Sequence, residues 1–258
     1  MSNWDILWSS YDVFLSGFYN TLKLFGLSAV LAFLMGSAMV FLLEGSRPRL
    51  KVPLRIFIDG MRMLPFLILA YLLYYGLPSA GIRMSAWTAG IIALVIYHGA
   101  YFAEILRGCR STFAQGQVEA AIAQGFSQPK MFMRIILPQL ILKTRGLLGN
   151  QLIILLKDTA FLVIITVREL TAAASSLSST YFIPMEAFIV VIGFYWLISI
   201  GLELFIKMIG RCGHRRRRPD PCDQPYFGGD LRPTATHFSG CGTVYADYQS
   251  VGVVSTCG

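Results

Sequence analysis

Charge is scarce in this chain. Charged residues make up 14% of its 258 positions and hydrophobic ones 55%, whereas soluble globular domains carry about 25% charge. Too little charge remains to coat a soluble surface, which places the chain in the membrane class. Residues 1–20 contain no Lys or Arg, so a cleaved signal with a basic start is not expected there. The phosphate loop GxxxxGK followed by Ser or Thr is missing, so the chain has no such means of binding ATP. HExxH and GxSxG are also missing. Five cysteines occur, Cys109, Cys212, Cys222, Cys241 and Cys257, with no CxxC pair. The spacings among Cys212, His214, Cys222, His237 and Cys241 match no standard zinc pattern, so these read as thiols of a tail. No metal or cofactor is expected.

A net charge of +8 invites a nucleic-acid reading, but the basic residues fall in blocks between apolar segments, as membrane orientation requires. Crossing about 30 Å of hydrocarbon takes roughly 20 apolar residues. Five segments qualify, at 20–43, 54–77, 86–106, 147–167 and 184–209, bounded by an outer segment 1–19 and a cytoplasmic tail 211–258. The second must borrow "LRIFIDGMRML" before its clean run, which sets Asp59 and Arg62 on one helix face near the boundary. Residues 44–56, 107–146 and 207–218 hold four, six and six Lys or Arg, against only Arg83 and Arg168 in the opposite loops. The fold class is therefore all-α and polytopic, with the N-terminus outside and the C-terminus cytoplasmic. Gly26, Ser28, Gly36 and Ser37 in the first span and Gly90 in the third are small enough for close helix packing.

Between the third and fourth spans lies "EAAIAQGFSQPKMFMRIILP", residues 119–138. Val118, Ala121 and Ile122 share a helical face. Gly125 suits the left-handed position that ends a helix. Ser127 can cap a second short helix, with Pro129 in its first turn. Met131, Phe132, Ile135 and Ile136 form its apolar side, and Pro138 follows. The segment reads as a helix-turn-helix knuckle at the cytoplasmic surface, packed on its own bundle or gripped by a partner.

Polar residues also enter the fourth span. Asn150, Gln151, Lys157, Asp158 and Thr159 lie in an otherwise apolar helix, with Asn150 and Lys157 seven apart, as are Gln151 and Asp158. Seven residues make nearly two turns, so the pattern predicts one polar stripe. An uncompensated charge at mid-membrane costs at least about 2.5 kcal/mol. The stripe is therefore expected to line a transport path for a zwitterion or to form a polar clamp. Glu104 at the inner end of the third span, with Arg107 three residues on, reads as a surface pair.

Glu119-Ala120-Ala121, then three residues, Gly125, nine residues, Ile135, one residue and Leu137-Pro138 resemble the complete EAA signature of ABC importer permeases. "YHGAYFAEILRG", "GQVEAA" and "LGNQLIILLKDTAFLVIITVREL" resemble the polar amino acid type, which takes up histidine, glutamine or opines. Leu64 stands where that group usually has a small polar residue. The resemblance covers about residues 10–212. It implies a type I permease without enzymatic activity in the bacterial inner membrane, with a cytoplasmic coupling helix. Glu119, Ala120 and Ala121 would enter a cleft of the ATPase, Gly125 would make the turn, and Ile135, Leu137 and Pro138 would complete the element. The implied partners are a cytosolic ABC ATPase dimer, a periplasmic or lipid-anchored amino-acid-binding protein and a second permease subunit, identical or a sister chain. No nucleic acid is expected.

After Arg211 the composition shifts. "GHRRRRPDPCDQPYFGGD" has no apolar periodicity, and Arg215 to Arg218 suit anionic headgroups. The rest reads as disordered or as sequence acquired by a change of reading frame. Two other classes stay open. An intramembrane enzyme would have to draw on Asp59, Glu104, Asp158 and His98, the acids and the histidine inside or bordering the spans. A passive channel would have no use for a docking knuckle.

Overall fold

The computed structural model describes residues 3–45 and 48–213, and the tail expected at 211–258 lies almost wholly outside them. Among the described residues every regular element is helical. A short α1 (Asn3–Ser9) precedes α2 (Tyr11–Gly45). α3 (Pro48–Met63) is followed by α4 (Phe66–Tyr71), which runs on through a wide turn at Leu72–Gly76 and a tight one at Leu77–Ala80. Next come α5 (Ala86–Ser111), α6 (Gln115–Ala123) and α7 (Gln128–Met131). α8 (Leu137–Asp158) tightens into a 3-10 segment, Thr159–Ile165. α9 (Leu170–Tyr181) and α10 (Pro184–Gly213) complete the bundle.

Four helical stretches are long and apolar enough to cross a membrane, or five if one bent pair counts as a span. That pair lies where the sequence suggests a single span at 54–77. Helix 49–63 and helix 66–80 meet at an angle of 106°. Pro65 is the physical cause. It offers no N–H to the preceding turn, its ring crowds the carbonyl four residues back, and it turns the residue before it away from helical geometry. Pro65 itself is extended (φ −67°, ψ 132°) and stands at the N-terminus of α4.

The centre of the bundle is the crossing of α2 and α5. A Cβ placed on Gly36 would stand 2.8 Å from Phe102 Cβ and 2.9 Å from the backbone of Gly99 and Ala103. Only a glycine permits that approach. Thr21, Ser28 and Ala32 line the same buried face of α2. Gly90 packs on Leu162, whereas Gly26 meets nothing within 4 Å. Three apolar clusters result: one around Phe102, Leu106, Phe132 and Leu140, one around Leu24, Leu94 and Leu162, and one around Phe14, Leu170 and Val191. The first cements α2, α5 and α8 beneath the knuckle.

Candidate functional site: the knuckle and the polar cluster

The knuckle begins where α5 ends. α6 is closed by Gly125, whose φ of +77° is left-handed. Its N–H donates to the Ile122 carbonyl (2.9 Å) and the N–H of Phe126 to the Ala121 carbonyl (3.1 Å). This paired pattern is a Schellman closure, and it satisfies carbonyls that the helix end would otherwise leave bare. Ala121 (3% exposed) and Phe126 both belong to the core beneath. The shared face expected of Val118, Ala121 and Ile122 is divided: Val118 and Ala121 face the bundle, and Ile122 is 55% exposed. Glu119, Ala120 and Gly125 are exposed.

The second arm of the knuckle differs from a separate short helix. Residues 128–165 form one continuous helical stretch, in which α7 passes through a wide turn, Phe132–Ile136, into α8. The Leu137 N–H reaches back to the Phe132 carbonyl, five residues away. Pro138 explains the widening. It cannot donate to the turn before it, and a local π adjustment absorbs the vacancy without breaking the helix. Ser127 makes no side-chain cap bond; its carbonyl instead accepts from the Met131 N–H (2.9 Å). Leu137 is buried, Ile135 half-buried and Pro138 exposed. Of the seven expected coupling residues, Ala121, Ile135 and Leu137 therefore anchor the knuckle, and Glu119, Ala120, Gly125 and Pro138 are at the surface.

The single polar stripe expected on α8 is two faces. Gln151 and Thr159 are buried and Asp158 is half-buried, whereas Asn150 and Lys157 are exposed. Neighbours in sequence lie about 100° apart around a helix, so each i,i+7 pair keeps its own face. The inner face is completed by a residue outside the expected stripe, His98 of α5, which is fully buried. Gln151 Nε2 lies 2.8 Å from His98 Nδ1. An amide nitrogen only donates, so Nδ1 accepts and a neutral ring carries its hydrogen on Nε2. That Nε2 stands 3.3 Å from Asp158 Oδ2 but is not aligned as a hydrogen bond. Phe66 and Tyr97 pack around the imidazole.

Thr159 leads to a second unforeseen group. Its hydroxyl lies 3.5 Å from the Tyr195 hydroxyl, which donates to Glu169 (3.1 Å). Glu169 is 1% exposed. It caps α9 by accepting from the N–H groups of Thr171 (2.7 Å) and Ala172 (2.8 Å). Burial pushes its carboxyl up from the ordinary range, and these donors pull it part of the way back. An acid directly ahead of a helix was the one available signal for this cap. Near the knuckle, Glu104 receives a two-pronged Arg107 contact (2.7 Å each) and Arg62 at 3.6 Å. Asp59 lies 3.7 Å from Arg62, and Glu44 of α2 pairs with Arg110 of α5.

Residues 28–211 match the family described as binding-protein-dependent transport system inner membrane component. The chain is 30% identical over 211 residues to a probable glutamine ABC transporter permease of Bacillus subtilis, covering 80% of this chain and 96% of that one. It is 32% identical over 191 residues to an octopine transport system permease of Rhizobium meliloti, covering 70% and 78%. Among solved structures, an amino acid ABC transporter crystallised with histidines superposes with a TM-score of 0.73 at 30% identity, covering 82% of this chain and 99% of that one.

Proposed function

Because the chain belongs to the family of binding-protein-dependent transport system inner membrane components, we propose that it is the permease subunit of an inner-membrane importer for polar amino acids or derivatives such as opines. It is a transport component, not an enzyme. ATP is hydrolysed on a separate ATPase dimer, solute arrives on a binding protein, and a second permease subunit completes the pore. The permease unit spans about residues 20–210. The glutamine and octopine relatives support the substrate class.

The knuckle carries this reading. Its back is locked into the core by Ala121 and Phe126, while its tip exposes Glu119, Ala120 and Gly125. A rigid tip fixed to two spans can pass displacement from an ATPase into the membrane. Inside the bundle, Gln151 is already engaged by His98 and serves as a clamp. Half-buried Asp158 serves the path, where a carboxylate suits a solute's ammonium group.

The test uses Gly125→Val. A β-branched residue is strongly disfavoured at positive φ, so the variant is expected to insert normally and to lose uptake of labelled glutamine, histidine or octopine, whichever the unmodified transporter carries. Normal uptake at equal abundance would overturn the coupling role. Failure of an ATPase to co-purify with the unmodified chain would overturn the importer reading.

A further inference from the structure

Phe113 lies in the short link between α5 and α6, two residues ahead of the knuckle helix. Links at a protein's edge are normally exposed, yet Phe113 is 6% exposed and joins the core cluster that holds Ala121 and Phe132. Two cations from different helices address its ring. Arg110 of α5 lies 5.4 Å from the ring centroid, and Lys143 of α8 also lies 5.4 Å away. Both distances fall within the reach of a cation–π contact. Arg110 is in turn held by Glu44 of α2. A single aromatic ring thus ties the helix that enters the knuckle to the helix that leaves it, with α2 attached through Arg110.

We infer that Phe113 is a positioning residue for coupling, a pivot that passes displacement of the knuckle to α5 and α8 together. The inference rests on the coupling role proposed for the knuckle. The chemistry requires an aromatic ring, because a leucine of similar greasiness fills the core but offers no π face to either cation. Without the ring, the knuckle remains attached through Val118, Ala121 and Phe126, but its motion is no longer shared between the two spans.

The experiment reads transmission without needing the natural solute. The full transporter, with its ATPase and binding protein, is placed in lipid nanodiscs. Spin labels are attached at Gln124→Cys on the knuckle and Ser179→Cys on α9, both exposed positions, in a chain whose native cysteines are replaced. With Phe113 intact, ATP shifts the distance distribution between the labels. Phe113→Leu is expected to keep ATP hydrolysis and lose most of the shift, and Phe113→Tyr to keep both. A leucine variant that shifts like the unmodified chain overturns the pivot, as does a tyrosine variant that does not shift. Should the leucine variant fail to assemble, Lys143→Gln decides, because it removes one cation and leaves the core intact; an undiminished shift there overturns the pivot. No shift with Phe113 intact overturns the coupling role of the knuckle itself, and the pivot with it.

Discussion

Glu169 shows how one side chain can carry structure and a pH response together. Its carboxylate satisfies two backbone N–H groups at the start of α9 and receives the Tyr195 hydroxyl, but burial raises its pKa. In the window between the ordinary carboxylate pKa and the raised one, the folded state binds more protons than the unfolded state. Stability must then fall as pH rises through that window. Glu169→Gln is expected to flatten this slope in thermal unfolding of the solubilised protein, whatever constant offset it adds. An unchanged slope would show that another group is responsible. Gln151 invites a simpler change. Gln151→Leu removes the donor to His98 Nδ1 and leaves a buried acceptor unmet, which costs about 1–3 kcal/mol and should lower the unfolding midpoint. A midpoint equal to the unmodified chain's would mean that water supplies the lost donor to Nδ1.

At the scale of elements, the helices that periodicity and length marked are present where residue properties alone decide: apolar runs, a glycine at a left-handed turn, a proline in a first turn. The departures come from contacts distant in sequence or from a backbone effect that competes with hydropathy. Pro65 divides a segment that hydropathy joins. Pro138, read as the close of the knuckle, is carried inside a helix by one wide turn. His98 and Gln151 are 53 residues apart, and no local pattern announces such a pair. Glycines separate the same way. Gly36 and Gly26 look alike as small residues in one span, but only Gly36 sits at a backbone crossing. Gly36→Ala should therefore force α2 from α5 and destabilise by about 1–3 kcal/mol. Gly26→Ala meets open space and should stabilise the helix slightly, by up to about 1 kcal/mol. Thermal unfolding of the two variants side by side checks the contrast, and equal effects would refute the close crossing.

At the scale of the whole molecule, the outer face of α8 raises the question of what lies against it. Asn150 and Lys157 are exposed there, on a helix long and apolar enough to span. A lysine facing hydrocarbon costs at least about 2.5 kcal/mol, and spanning segments place such groups against protein or water. The face carrying Asn150 and Lys157 should therefore be covered by a second permease subunit or line the aqueous path, and the two cases separate experimentally. In a chain without other cysteines, Asn150→Cys is treated with a small hydrophilic thiol reagent and, in parallel, with an oxidant. Lining the path predicts fast labelling that changes when ATP and the solute-loaded binding protein are added. Subunit contact predicts slow labelling, with a disulfide-linked dimer on oxidation if the partner is an identical chain, or protection that depends on a co-expressed sister chain if it is not. Leu197, exposed on the apolar helix α10 rather than on the face under test, provides the apolar-surface control as Leu197→Cys. If Asn150→Cys labels as slowly as that control and never cross-links or gains protection, Asn150 faces lipid and the outer face belongs to neither the path nor an interface.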